Sequence, residues 1–177
     1  MKWSILIFTF LFSQAHAQEF QTEARALASD LKTSLMKNVS EQISKQGPVK
    51  AISFCHDNVK PIAKNTAGDR MSKYEFGRTS HKIRNMDNRA TPWMAVYLKE
   101  FQGTFKGDNQ KEFILHKLEN GKQVYVEPLY IQAQCLFCHG DQISKDVQKK
   151  LNELYPKDQA IGFKLNEFRG FIWIKEK

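Results

Sequence analysis

A chain of 177 residues, 41% hydrophobic and 26% charged, can bury a real core and calls for no second domain. Its 27 lysines and arginines outnumber 19 acidic residues for a formal charge of +8, but they are spread from Lys32 to Lys177 without a run of five or six. That spread argues against a nucleic-acid-binding tail and for a solvated basic surface, suited to an acidic partner or anionic lipid.

Residues 1–17 have the make-up of a secretory signal. Lys2 supplies the positive start, Ile5 to Phe12 a short apolar core, and Ala15-His16-Ala17 an A-x-A cleavage site. Cleavage after Ala17 leaves residues 18–177 as one domain. The apolar run is too short to span a bilayer, and no cysteine follows the cleavage site to take a lipid. An exported, periplasmic protein with no membrane span in the mature chain is therefore expected.

From Phe20 to Gln46, Phe20, Ala24, Leu27, Leu31, Leu35, Val39 and Ile43 recur every three or four positions, the stripe of one long amphipathic helix. Such a helix is about 40 Å long, so part of its stripe either lies across its own sheet or meets another subunit in a homodimer. Gly47-Pro48 ends it and starts a second helix, on which Ile52, Cys55, Val59 and Ile62 share the inward face while His56 turns away. Pro61 predicts a kink or an early end.

Asn65 to Lys73 reads as a loop, Tyr74 to Thr79 as a short strand, and Ser80 to Ala90 as a basic connection. Thr91 and Pro92 open a helix through Trp93, Val96, Tyr97 and Phe101 to Gly103. A turn over 103–110 precedes strands Phe113 to Leu118 and Gln123 to Val126 around Asn120-Gly121, a type I′ hairpin signal. That register sets Leu115 opposite Val126 and His116 opposite Tyr125. Pro128 to Ile131 then leads out of the hairpin.

Next comes Cys135-Leu136-Phe137-Cys138-His139, a C-x-x-C-H pentapeptide, the attachment sequence of c-type haem. Two thiols on one helical turn can each form a thioether with a porphyrin vinyl group, and the following imidazole becomes the proximal iron ligand. A zinc site would want a second ligand pair, and only Cys55 remains among the three cysteines. Covalent attachment of this kind takes place outside the cytoplasm, so motif and export signal support each other. After the motif, Ser144 caps a helix through Val147, Leu151 and Leu154 that stops at Pro156. Strands Ile161 to Leu165 and Gly170 to Ile174 close the chain, with Phe171 and Trp173 on one face and Ile172 and Ile174 on the other. The fold class is α+β.

Several blocks carry a family resemblance: Ala51-Ile52-Ser53-Phe54-Cys55, Gly77-Arg78-Thr79-Ser80, Arg84-Asn85 with Asn88, and Tyr130-Ile131 before the haem motif and Gly140. Tyr155-Pro156-Lys157-Asp158, Gly162 and Arg169-Gly170 complete them. In that order they resemble the exported c-type haem proteins with a PAS-like fold, found alone and as sensor modules of histidine kinases. The resemblance implies a PAS-like antiparallel sheet with a long N-terminal helix and flanking helices, one haem c, and Cys55 as thiolate sixth ligand. Met86 stands where the family usually has proline, and Met94 where an acidic residue often follows the tryptophan.

For the distal position the chain also offers His56, His81, His116 and Met86. Arg78 and Arg84 are candidates to pair with the haem propionates, since guanidinium matches carboxylate in a bidentate fork. Two functions follow from such a centre: a redox or gas sensor module that hands its signal to another periplasmic protein, or a small electron-transfer cytochrome c. A peroxidase-like enzyme fits less well, because both axial positions are filled and no acid/base pair flanks the motif.

Overall fold

The computed structural model describes residues 4–103 and 112–177, with side chains from Ala15 onward. Lys2 and the turn expected after Gly103 lie outside them. Helix α1, Ser4–Ala67, runs unbroken through Ala15-His16-Ala17 and leaves helical geometry only at Gly47, where φ is 79° and ψ 167°. Glycine alone takes that conformation without strain. The kink folds residues 48–67 back along the first half. The Thr66 hydroxyl donates to Ser34 Oγ at 3.0 Å, and Arg70, just past the helix, pairs with Asp30 at 2.7 Å. Leu35, Val39 and Ile43 are half-buried, so the helix that outruns its sheet finds a partner within its own chain. Pro61 neither kinks nor stops α1, which stays helical to Ala67; the hydrogen bond it removes lies on an exposed face, beside exposed Asp57.

Four strands, β1 (Tyr74–Thr79), β2 (Ile114–Lys117), β3 (Gln123–Tyr130) and β4 (Phe168–Glu176), form an antiparallel sheet of order β1-β4-β3-β2. Side chains alternate between its faces. Tyr125, Ile172 and Ile174 pack on Phe20, Ala24, Leu27 and Leu31 of α1. On the other face, Val124, Val126, Phe168 and Phe171 pack on Met94, Tyr97, Leu98 and Phe101 of helix α2, Pro92–Gly103. Val96 of α2 turns away from that face and is 64% exposed. The domain is thus α+β, a sheet between a long N-terminal helix and a short one.

Two strand expectations are corrected. The hairpin register is one residue off: Ile114 faces Val126, Leu115 faces Tyr125 and His116 faces Val124. A type I′ turn needs positive φ at both central residues, but here only Gly121 has it, at 85°. Gly121 N–H bonds the Leu118 carbonyl and Leu118 N–H the Lys122 carbonyl, so three residues bridge the strands instead of two. β3 also runs on past Val126. Pro128 is tolerated there because β2 has ended and β3 has a neighbour on one side only. The second correction concerns Ile161 to Leu165, which is no sheet strand. Its backbone bonds instead to the C-x-x-C-H segment.

Candidate functional site

A 3-10 turn, Ala133–Cys135, leads into one helical turn, α3, Leu136–His139. Cys135 and Cys138 are thereby held on the same turn, both half-buried, while Phe137 between them is 54% exposed. Gly140 closes the turn by donating its N–H to the Leu136 carbonyl at 3.0 Å. A Cβ at Gly140 would lie 2.7 Å from that carbonyl oxygen, so only glycine permits the tight exit.

The chain that follows helix α4, Lys145–Leu154, wraps around this turn. Phe163 N–H bonds the His139 carbonyl and Gly162 N–H the Gly140 carbonyl, both at 2.9 Å. His139 Nδ1 lies 2.6 Å from the Ala160 carbonyl. A carbonyl only accepts, so Nδ1 carries the hydrogen and Nε2 keeps its lone pair. Burial first, and then the Arg169 and Arg84 charges, hold the His139 pKa well below its ordinary value. The imidazole is therefore a neutral donor at physiological pH.

Cys55 comes to the same place from the kinked-back half of α1. Ile52, one turn earlier, packs with Val147 and Leu151 of α4 and with Cys138. Burial raises the Cys55 pKa, against which the Arg78 and Arg84 charges act. Burial likewise pushes the Cys138 thiol up to about 11, with Cys55 adding to the rise.

Arg78, Arg84 and Arg169 surround these groups. Arg84 is committed within the protein: Nε donates to Asp158 Oδ2 at 2.9 Å, and Nη2 to the Cys138 and Ala160 carbonyls at 2.5 and 3.2 Å. Arg169 Nη1 donates to the Lys82 carbonyl at 3.1 Å, and burial together with the other two arginines pushes its pKa down to about 9. Arg78 makes no hydrogen bond or ion pair among the described residues. The residue is exposed, and desolvation by the atoms packed around it lowers its pKa.

The other distal candidates are placed differently from one another. His116 meets Tyr97 on the α2 face of the sheet, 5.5 Å between ring centroids. His56 is exposed beside Asp57. Met86 sits in a 3-10 turn with its sulfur towards Arg89. His81 stacks on Phe168 and meets Phe163, the ring that also meets His139 edge-on, so it lies on the His139 side. Its buried Nδ1 has no hydrogen-bond partner among the described residues. The structure thus gathers Cys135, Cys138, His139, Cys55, Arg78 and Arg84 and leaves His116 and Met86 apart, while His56 borders the centre through Tyr155, the ring that Arg84 lies over. Sequence reasoning gave no role to Asp158 or Ala160; the signal was Tyr-Pro-Lys-Asp after α4, a turn with an acidic end.

A groove of about 570 Å³ lies apart from this centre, lined by residues including Glu23, Lys73, Tyr74 and Glu176. No group of three or more histidine, cysteine or acidic residues arranged for a metal ion occurs among the described residues. No described helix is long and apolar enough to cross a membrane.

A family model described as Tll0287-like matches residues 13–176. Among solved structures, the chain is similar to the cyanobacterial heme-protein Tll0287, with a TM-score of 0.67 at 21% identity, covering 88% of this chain and 93% of that one. No curated protein matches it.

Proposed function

The chain belongs to the Tll0287-like family, and on that footing we propose that it is an exported, periplasmic protein carrying one haem c, bound through Cys135 and Cys138. His139 is the proximal ligand and the Cys55 thiolate the distal one. The single observation that carries this reading is the His139 ring: Nδ1–H is engaged by the Ala160 carbonyl, which leaves Nε2 as the donor atom on the residue next to the attachment thiol.

The residues suit the group. Two thiols three positions apart on one turn, a neutral imidazole, and a third sulfur brought close by another helix form a donor set typical of a covalent six-coordinate haem. Arg78, unpaired among the described residues, and Arg169, with one donor used, are the propionate partners; Arg84 serves the proximal side. Bound haem supplies one-electron chemistry and a site for small gases. A four-stranded antiparallel sheet flanked by a long helix supports the PAS-like description.

The functional role is that of a redox or gas sensor module rather than an enzyme. Cys55 rides on the α1 hairpin, so a change in its bond to iron reaches the longest element of the fold. The signal passes to a periplasmic signalling or redox protein. The alternative, a small electron-transfer cytochrome c, draws on the +8 formal charge, which suits docking to an acidic redox partner.

Acid extraction and denatured mass test the cofactor reading. The pigment should survive extraction and the mass should rise by one haem, both lost when Cys135 and Cys138 become alanine. Freely extractable haem in the unmodified protein would remove the central claim.

A further inference from the structure

The acceptor of the His139 hydrogen is itself held by charged groups. Asp158 Oδ1 receives the Ala160 N–H at 2.7 Å, and Asp158 Oδ2 receives Arg84 Nε–H at 2.9 Å. Arg84 Nη2 donates to the Ala160 carbonyl at 3.2 Å and to the Cys138 carbonyl at 2.5 Å. One guanidinium and one carboxylate therefore grip both polar groups of Ala160 and tie them to the backbone beside His139. The loop is anchored once more where Gln159 N–H bonds the Ile83 carbonyl at 2.9 Å, next to Arg84.

The pair lies in the interior, with side-chain exposures of 13% for Arg84 and 6% for Asp158. Desolvation offsets much of the attraction of such a buried pair, so stability alone is a poor reason for it. Its geometric effect is specific. A carbonyl fixed in place gives the imidazole one preferred plane and one hydrogen-bond strength, and both tune the donor nitrogen towards a metal.

We propose that Arg84 and Asp158 are positioning residues for the proximal ligand, fixing the Ala160 carbonyl so that it sets the orientation and basicity of His139. The proposal deepens the haem reading above and rests on it. His139 would keep its place in the chain without them, but its ring would sample several planes and its Nδ1–H would open to solvent more often.

The test uses the haem-loaded protein with Arg84→Lys and Asp158→Asn. Lysine keeps the charge but lacks the planar fork that reaches a carboxylate and two carbonyls together. Covalent haem content should be unchanged in both. The His139 Nδ1–H in the reduced protein should exchange with solvent about tenfold faster, as for loss of a charge-assisted contact, and the ferric low-spin resonance should split into more than one set of g values. If the arginine acted only through its field, Arg84→Lys would leave both readouts as they are. Should Arg84→Lys fail to fold, Asp158→Asn, which preserves shape, carries the same two measurements. Haem retained with unchanged exchange and one sharp resonance overturns the proposal alone. Haem lost on acid extraction from the unmodified protein overturns the haem reading and the proposal with it.

Discussion

Cys55 is the residue on which sensor and carrier readings part. Its thiol is pushed up by burial, so without a metal it holds its proton at neutral pH, and binding iron as thiolate releases that proton. With haem bound there, reduction would remove positive charge from the metal, and the thiolate would then regain its proton more readily. Proton uptake on reduction means that the midpoint potential should fall as pH rises, by about 59 mV per unit for one proton and one electron, while the thiol stays below its pKa. Potentiometry across neutral pH checks this, and Cys55→Ser should flatten the slope. The ferric low-spin resonance should change in Cys55→Ser and not in His81→Ala or Met86→Ala; the opposite pattern would rule out thiolate ligation. At this scale the sequence was informative about residues that carry chemistry by type, because a C-x-x-C-H spacing and a leftover thiol are recognisable one by one. It was silent on Ala160, whose contribution is a backbone carbonyl and leaves no mark in the side-chain pattern. Arg84 was legible as a charged residue of the site, but not as a strut: its bonds to Asp158 at 2.9 Å and to two carbonyls join segments far apart in sequence.

Elements were legible where periodicity dominates. Tyr74–Thr79 has the bounds its pattern implies, Ser144 does cap α4 through the Val147 N–H, and the Gly47-Pro48 break falls where expected. Errors arose where a backbone choice carries no periodic signal. The Asn120-Gly121 turn admits two or three bridging residues, and one extra residue moves every pairing across the hairpin. Ile161 to Leu165 looks like a strand because it is apolar, but its hydrogen bonds go to His139 and Gly140. The corrected register has a measurable consequence. Ile114 packs in the α2-side cluster with fully buried Val126, whereas Leu115 is 39% exposed. Ile114→Ala should therefore cost roughly 2 kcal/mol or more in chemical denaturation, and Leu115→Ala clearly less; a reversed ranking would restore the two-residue turn. Gly170 offers a second check on the sheet. Its φ is 140°, and an added Cβ would lie 2.2 Å from the Thr79 carbonyl oxygen, between β4 and β1. Gly170→Ala should destabilise by more than about 1 kcal/mol, with loss of amide protection concentrated along Tyr74–Thr79.

For the whole molecule the α1 hairpin is the element through which the proposed haem centre would reach an output. Phe20 to Leu31 of the first half lie along the sheet, and residues 48–67 return past that half carrying Cys55, the two joined through the single non-helical residue Gly47. The two halves are held by modest contacts: Thr66 to Ser34, Arg70 to Asp30 and the packing of Ala63 and Ala67 near Leu31. A thiolate bond at Cys55 would add one further restraint to the returning half, so losing it would lower the free energy of local opening there more than in the sheet. If the protein is a sensor, hydrogen exchange should quicken over residues 48–62 on reduction while β3 and β4 keep their protection. An electron carrier keeps six ligands in both oxidation states, and its exchange map should be the same oxidised and reduced. Carbon monoxide sharpens the comparison, since it binds reduced iron only where a ligand has been lost and would hold residues 48–62 in the opened state. Cys55→Ser supplies the control: its oxidised form should already exchange like the reduced unmodified protein. Equal exchange in all these forms, with no carbon monoxide bound, would assign the molecule to electron transfer and leave the α1 hairpin a purely structural support for the distal ligand.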